Sequence, residues 1–280
     1  MTPDALRALR AGVAFLTRLP TGGSDESDWE AFSRTPAAFP VIGLVVGALA
    51  SIPFLASAHL PGPTVAVGYL LAVYLVTGVH HVDGVADLGD AAVVHGDRDR
   101  RREVLKDTTT GVGAVLAVAL VVAGLLLGGL ALAGLPIGVA ITIVVAAEVG
   151  AKLGMASMAA LGTASHEGFG SHFTRNARPR SLVTPTALSI ALVAVLASAV
   201  AATTMADAAS PFATGPVQVG ALGPLQGVAF ATLAGALAGT AILWLWARRK
   251  LGGVGGDVFG AANEVSRVVG LHVGVIAWTL

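Results

Sequence analysis

Six stretches of this 280-residue chain, at 40–58, 64–80, 112–134, 136–160, 185–207 and 225–247, run long and apolar with almost no charge. A helix needs about 20 such residues to cross a bilayer, and a backbone in lipid must satisfy its own hydrogen bonds, so these stretches predict spanning helices. A seventh, 258–280, carries Asn263, Glu264, Arg267 and His272 and is apolar only in its C-terminal half. The expected fold class is all-α: a polytopic membrane helix bundle of about six to seven transmembrane helices. It forms one integral membrane domain over 1–280, packed through 36 glycines and many alanines. A chain 55% hydrophobic and only 12% charged fits that class better than a soluble core. Zero net charge, with the charges segregated into loops, argues against a nucleic-acid partner. The absence of cysteine removes disulfides, thiolate nucleophiles and thiolate metal sites.

Residues 1–38 hold Arg7, Arg10 and Arg18 but only short apolar runs, without the uninterrupted apolar region of a signal peptide. They predict an N-terminal segment lying along the membrane surface as an amphipathic helix. The connections 59–63 and 134–136 carry no Lys or Arg, whereas 81–111, 162–184 and 248–257 carry five, three and three. The positive-inside rule therefore puts the N-terminus and the three basic segments in the cytoplasm, and 59–63, 134–136 and 208–224 outside. A cell-membrane protein with its polar chemistry on the cytoplasmic side is the expectation, and 80–111 is its expected catalytic loop.

That segment opens on Asp83, Asp87 and Asp90. Spacings of four and three residues set all three on one side of a helix. Converging carboxylates repel one another, and a hard divalent cation such as Mg2+ relieves them while keeping positions for substrate phosphates. The same residues also suit an acidic, solvated first turn. Farther along come Arg98, Arg100, Arg101 and Arg102, then Lys106-Asp107-Thr108-Thr109-Thr110-Gly111 before the next apolar helix. Backbone N–H groups at a helix start, with nearby cations, suit a phosphate, so Arg101, Arg102, Lys106, Asp107, Thr108 and Gly111 are candidate binding residues. Capping and headgroup anchoring account for the same pattern. At the other end of the chain Asp257 and Glu264 stand seven apart, on one helix face; Asp257 either joins the acidic site or caps its helix. Glu148 and Lys152, one turn apart inside a span, read as a buried neutralising pair.

The chain resembles the cobalamin synthase (adenosylcobinamide-GDP ribazoletransferase) family. The likeness rests on six stretches in family order: Phe15-Leu16-Thr17-Arg18-Leu19-Pro20, Phe39-Pro40-Val41-Ile42-Gly43, His81-Val82-Asp83-Gly84-Val85-Ala86-Asp87-Leu88-Gly89-Asp90-Ala91, Lys106-Asp107, Glu167-Gly168-Phe169-Gly170 and Gly252-Gly253-Val254-Gly255-Gly256-Asp257-Val258-Phe259-Gly260-Ala261. The resemblance implies a Mg2+-dependent transfer in which α-ribazole or its 5′-phosphate attacks adenosylcobinamide-GDP and GMP leaves. Its implied partners are those two substrates and the lipid bilayer; a homo-oligomer is left open. Thr109 and Ser165 stand where the family pattern has arginines, which leaves Arg175, Arg178 and Lys152 as substitute cations.

Displacing GMP from a pyrophosphate requires charge neutralisation on both phosphates, the usual task of a carboxylate-held Mg2+. Asp83, Asp87 and Asp257 are the expected ligands, with Asp90 a further ligand or the general base. His81 and His80 are alternative bases, or hydrogen-bonders at helix interfaces. Two rival readings remain at this point. One is a CDP-alcohol phosphotransferase, whose usual pattern has Arg where Asp87 follows Ala86. The other is a secondary transporter, which the clustering of acids near one interface and the absence of an internal repeat disfavour.

Overall fold

The computed structural model describes residues 3–209 and 225–280. These form α1 (Pro3–Leu16), α2 (Glu26–Arg34), α3 (Ala38–Ala50), α4 (Gly62–Thr77), α5 (His80–Val93), α6 (Arg98–Val104), α7 (Val112–Ala133), α8 (Ile137–Leu161), α9 (Phe169–Asn176), α10 (Val183–Ala209), α11 (Leu225–Lys250) and α12 (Gly256–Thr279). Among the described residues the only β pairing is an isolated parallel bridge between Ala164 and Val254. The all-α expectation holds.

Helix α8 is the axis of the bundle. It is buried on all sides, from Val139 to Ala160 almost without interruption, and packs on α3, α11 and α12. Small residues permit this closeness. A Cβ on Gly43 of α3 would lie 2.7 Å from the Glu148 carbonyl oxygen, so the two backbones touch there.

Among the described residues five helical segments are long and apolar enough to span a membrane: Ala38–Ala56, Val112–Ala133, Ile137–Leu161, Pro179–Thr204 and Leu225–Lys250. The sixth expected span, 64–80, is α4, which has 16 residues and a length of about 24 Å. It stops at Gly78, whose φ of +71° ends the helix, and the chain bends by 98° into α5. Counting α4 with α5 as one broken span gives six. The seventh, 258–280, is one continuous helix of 24 residues, but Asn263, Glu264 and Arg267 all turn inward and are fully buried. It is an internal helix whose charges meet protein instead of lipid. The outward loop expected at 208–224 lies outside the described residues from 210 onward.

The segment expected as a loop at 80–111 is two helices. Its apolar side, with Val85, Leu88 and Ala91 buried, packs α5 onto α12 and α7. The N-terminal segment is likewise two helices: α1 buries Ala8, Ala11, Gly12 and Leu16, and α2 is tied to it by Arg10, whose Nε donates to Asp28 at 3.0 Å. Phe32, Phe39, Phe173 and Phe259 pack tilted or edge-on against one another at centroid separations of 4.9–6.1 Å, which clamps α9 between α2 and α12. The three basic segments meet at one end of the bundle. Arg98 Nε donates to the Arg249 carbonyl (3.2 Å), Arg102 Nε to the Leu251 carbonyl (2.9 Å), and Ser165 N–H to the Val254 carbonyl (3.0 Å).

Candidate active site

At that end α5 crosses the first turn of α12. A Cβ on Gly84 would fall 2.5 Å from the Asp257 carbonyl oxygen, and one on Gly260 would fall 3.1 Å from the Cα of His81. Two glycines thus let the helices touch backbone to backbone, one beside Asp83 and one beside Asp257. Asp87 comes within electrostatic reach of Asp257, Asp83 and Asp90, and Asp257 within reach of Asp83 and His166. The structure therefore joins residues more than 160 apart in sequence into one acidic face. Asp83 is exposed; Asp87 and Asp257 are partly buried. No described residue donates a hydrogen bond to any of the three carboxylates. Gly255 is the N-cap residue of α12, so Asp257 is not the cap.

Asp90 differs. One of its oxygens accepts the Gly111 N–H at 2.7 Å and the other the Ala114 N–H at 2.9 Å. It caps the start of α7 from a neighbouring helix, satisfying N–H groups that α7 itself leaves open. Its expected work as ligand or base competes with that role, and the Gly111 N–H expected to hold a phosphate is already spent on Asp90. Arg101 Nη1 bonds the Ala91 and Ala92 carbonyls (3.2 Å to the latter), closing the C-terminus of α5, while Arg102 does the same for α11 through Leu251. Two of the expected phosphate cations thus tie helix C-termini. Lys106, Asp107 and Thr108 lie in the exposed turn between α6 and α7. There Asp107 accepts the backbone N–H of Thr109 at 3.0 Å and its hydroxyl at 2.8 Å, which holds the carboxyl below its ordinary range.

His81 turns away from the acidic face. Its Nδ1 accepts from Asn263 Nδ2 at 3.0 Å and lies 3.7 Å from Glu264. Lys152 Nζ donates to Asn263 Oδ1 at 2.5 Å, which fixes the amide's orientation. Arg267 binds both oxygens of Glu264 at 2.6 and 2.7 Å and also pairs with Glu148. Glu148 and Lys152, expected to neutralise each other at a 3.5 Å separation, are two members of this larger network. Lys152 is consequently not available as a substitute phosphate cation, and Glu264 belongs to the interior instead of to the site of Asp257.

One neighbour escaped the sequence reading. His166 stands in the loop after α8, its Nδ1 2.9 Å from Ser165 Oγ, and lines a cavity of about 440 Å3 beside the start of α12. Glu167 and Arg175 line the same cavity and pair at 2.7 Å. Hydrogen bonding from Arg175 holds the Glu167 carboxyl below its ordinary range. A lone histidine in a short polar loop offers no spacing from which this placement is readable.

No solved structure matches the chain. Among curated proteins it is similar to an adenosylcobinamide-GDP ribazoletransferase of Halorubrum lacusprofundi, 46% identical over 282 residues and covering 98% of both chains. The Halobacterium salinarum protein of that name is 52% identical over 220 residues, covering 79% of this chain and 97% of the relative. The one of Methanocella arvoryzae is 31% identical over 280 residues, covering 99% of each. The family model described as cobalamin-5-phosphate synthase matches residues 8–275, nearly the whole bundle including both halves of the acidic face, and the chain belongs to that family.

Proposed function

We propose that this chain moves the cobinamide-bearing phosphoryl group of adenosylcobinamide-GDP onto a ribose hydroxyl of α-ribazole or α-ribazole 5′-phosphate, releasing GMP, at the cytoplasmic face of the cell membrane. The observation that carries this reading is the α5–α12 crossing, which gathers Asp83, Asp87 and Asp257 at the polar end of the bundle with no described residue donating a hydrogen bond to their carboxylates. The relatives' names supply the substrates, and the match over residues 8–275 leaves the CDP-alcohol and transporter readings without an observation of their own.

The donor set suits Mg2+. All three groups are hard oxygen ligands, and their mutual repulsion is what a divalent cation relieves. Among the described residues no three acidic or histidine side chains close around one point. Mg2+ does not require such a cage, because it is usually held by one or two carboxylates, with waters and substrate phosphates completing its shell. Bound there, it would neutralise charge on the pyrophosphate and on the departing GMP. The residues around it orient the reactants: the Gly84 contact fixes Asp83 and Asp87 relative to Asp257, and Arg101 and Arg102 lock the ends of α5 and α11 that frame the site.

The test is GMP release. Purified protein in lipid nanodiscs, given adenosylcobinamide-GDP, α-ribazole and Mg2+, is expected to form GMP and a cobalamin in equal amounts, and chelation by EDTA is expected to stop it. GMP formed without a corrinoid–ribazole product, or no GMP at all, overturns the reading.

A further inference from the structure

The cavity after α8 lies next to the acidic face, separated from Asp257 by His166. Polar side chains, among them His166, Glu167, Ser171 and Arg175, share its lining with apolar surface of similar extent. At about 440 Å3 it is in the lower part of the range for small-molecule sites, on the order of 300–1,000 Å3. The reaction proposed above brings two ring systems to this end of the bundle. The benzimidazole of ribazole carries no ring N–H donor and calls for apolar or aromatic walls. Guanine carries N1–H and a 2-amino group side by side, a pair of donors that one carboxylate accepts in a bidentate bond.

We propose that this cavity seats the guanosine end of the nucleotide substrate and that Glu167 reads the guanine edge, making Glu167 a specificity-determining residue. The proposal rests on the reading of the chain as a ribazoletransferase. Glu167 sits at the cavity wall with 87% of its side chain exposed, so its carboxylate is reachable. Arg175 takes one oxygen, Oε1, which balances the charge and keeps the group an ionised acceptor near neutral pH. The remaining lone pairs are open to N1–H and the 2-amino group. The cavity is also correctly placed. Seating the base beyond His166 points the nucleotide's phosphates back toward Asp257, where the bond to GMP breaks. Adenine fails this site because its N1 is an acceptor facing a carboxylate, and hypoxanthine, which keeps N1–H but lacks the 2-amino group, fills only half of it.

The experiment measures binding of GMP, IMP and AMP to the nanodisc protein by calorimetry, for the wild type and Glu167→Gln. The wild type is expected to favour GMP over IMP by roughly tenfold, the loss of one hydrogen bond to a charged group, and over AMP by more. In Glu167→Gln both preferences are expected to collapse to within about twofold, because the amide presents a donor where the carboxylate accepted. Glu167→Asp, which keeps the charge, is expected to retain the order GMP, IMP, AMP. A wild type with no preference for GMP, or a Glu167→Gln protein that keeps it, overturns the proposal. The assay needs no turnover, so it is separable from the function itself. Protein that releases GMP from adenosylcobinamide-GDP but does not discriminate purines sinks only the guanine assignment, whereas absence of GMP release sinks the transferase reading.

Discussion

Two sets of ionisable groups stand on α12, and they are built on opposite principles. The inner set, Glu264 and Arg267 with Glu148 and Lys152 from α8, is 0% exposed, contains two acids and two bases, and has Asn263 and His81 filling the remaining hydrogen bonds. The outer set, Asp257 with Asp83 and Asp87 of α5, is of one sign and accepts no hydrogen bond from a described residue. A buried network is tolerable only when every member is satisfied, and the inner one is. The outer set has no such internal partner, and under the proposed function a cation from outside would complete it. If the outer set is the proposed metal site, that contrast separates what holds the bundle together from what would act on a substrate, and the two sets are expected to respond to mutation with opposite signs.

The largest effect is expected in the inner set. Arg267→Met leaves Glu148 and Glu264 facing each other in the bundle interior with only Lys152 to offset them. Removing one partner of a buried pair costs about 3–5 kcal/mol, enough to deplete folded protein. Size-exclusion profiles and thermal melts of detergent-solubilised protein measure this. A variant that purifies as the wild type does and melts within a few degrees of it would deny the network its structural role.

Asp83→Asn and Asp87→Asn test the other side. Each removes a like charge, so melting in the absence of metal is expected to be unchanged or raised. Turnover is expected to fall by roughly 100-fold or more, since a proposed metal ligand is lost while shape is kept. Lower melting temperature with full specific activity would reverse the comparison, placing these aspartates with the architecture.

Gly84→Ala probes the α5–α12 contact that assembles the outer set. The added methyl would meet the Asp257 carbonyl at 2.5 Å, and a backbone oxygen cannot swing aside. Overpacking of this kind costs about 1–3 kcal/mol, and here it also spreads Asp83 and Asp87 away from Asp257. Both melting temperature and activity are expected to drop, the double signature of a residue that belongs to both regions. Loss of neither would mean that α5 and α12 are free to separate.

The spans were legible wherever apolar length alone decided them, and α3, α7, α8, α10 and α11 lie close to their expected positions. The break at Gly78 was not, because nothing local marks which of 36 glycines takes a positive φ, as six of the described ones do. The charges in 263–267 read as a weakened span because their partners, Glu148 and Lys152, lie more than 100 residues away on another helix. Asp83, Asp87 and Asp257 were visible as acids at the ends of apolar runs, and the structure sets them within electrostatic reach of one another. The bonds of Arg101 and Arg102 were not readable for a physical reason: an arginine that ties a helix C-terminus and one that binds phosphate occupy the same kind of loop. Only the three-dimensional position of the Ala91 and Leu251 carbonyls distinguishes the two uses.

Asp90 carries the smallest expected effect and draws the boundary most finely. By spacing it continues the run of Asp83 and Asp87, and it lies within electrostatic reach of Asp87. By bonding it belongs with the architecture, since its two oxygens are engaged by the Gly111 and Ala114 amides at 2.7 and 2.9 Å. If the bonds decide, Asp90→Ala costs about 1 kcal/mol, the usual loss of a helix cap, while specific activity per folded molecule stays within about threefold of wild type. Asp90→Asn recovers part of the stability, because one amide oxygen still accepts an N–H where the carboxylate accepted two. If the spacing decides, both variants lose activity as Asp87→Asn does, and the apparent Mg2+ affinity falls with it. Specific activity normalised to folded protein, measured across a Mg2+ titration, separates the two: a collapse of turnover with an unchanged melting temperature would move Asp90 into the acidic site and leave the start of α7 without its cap.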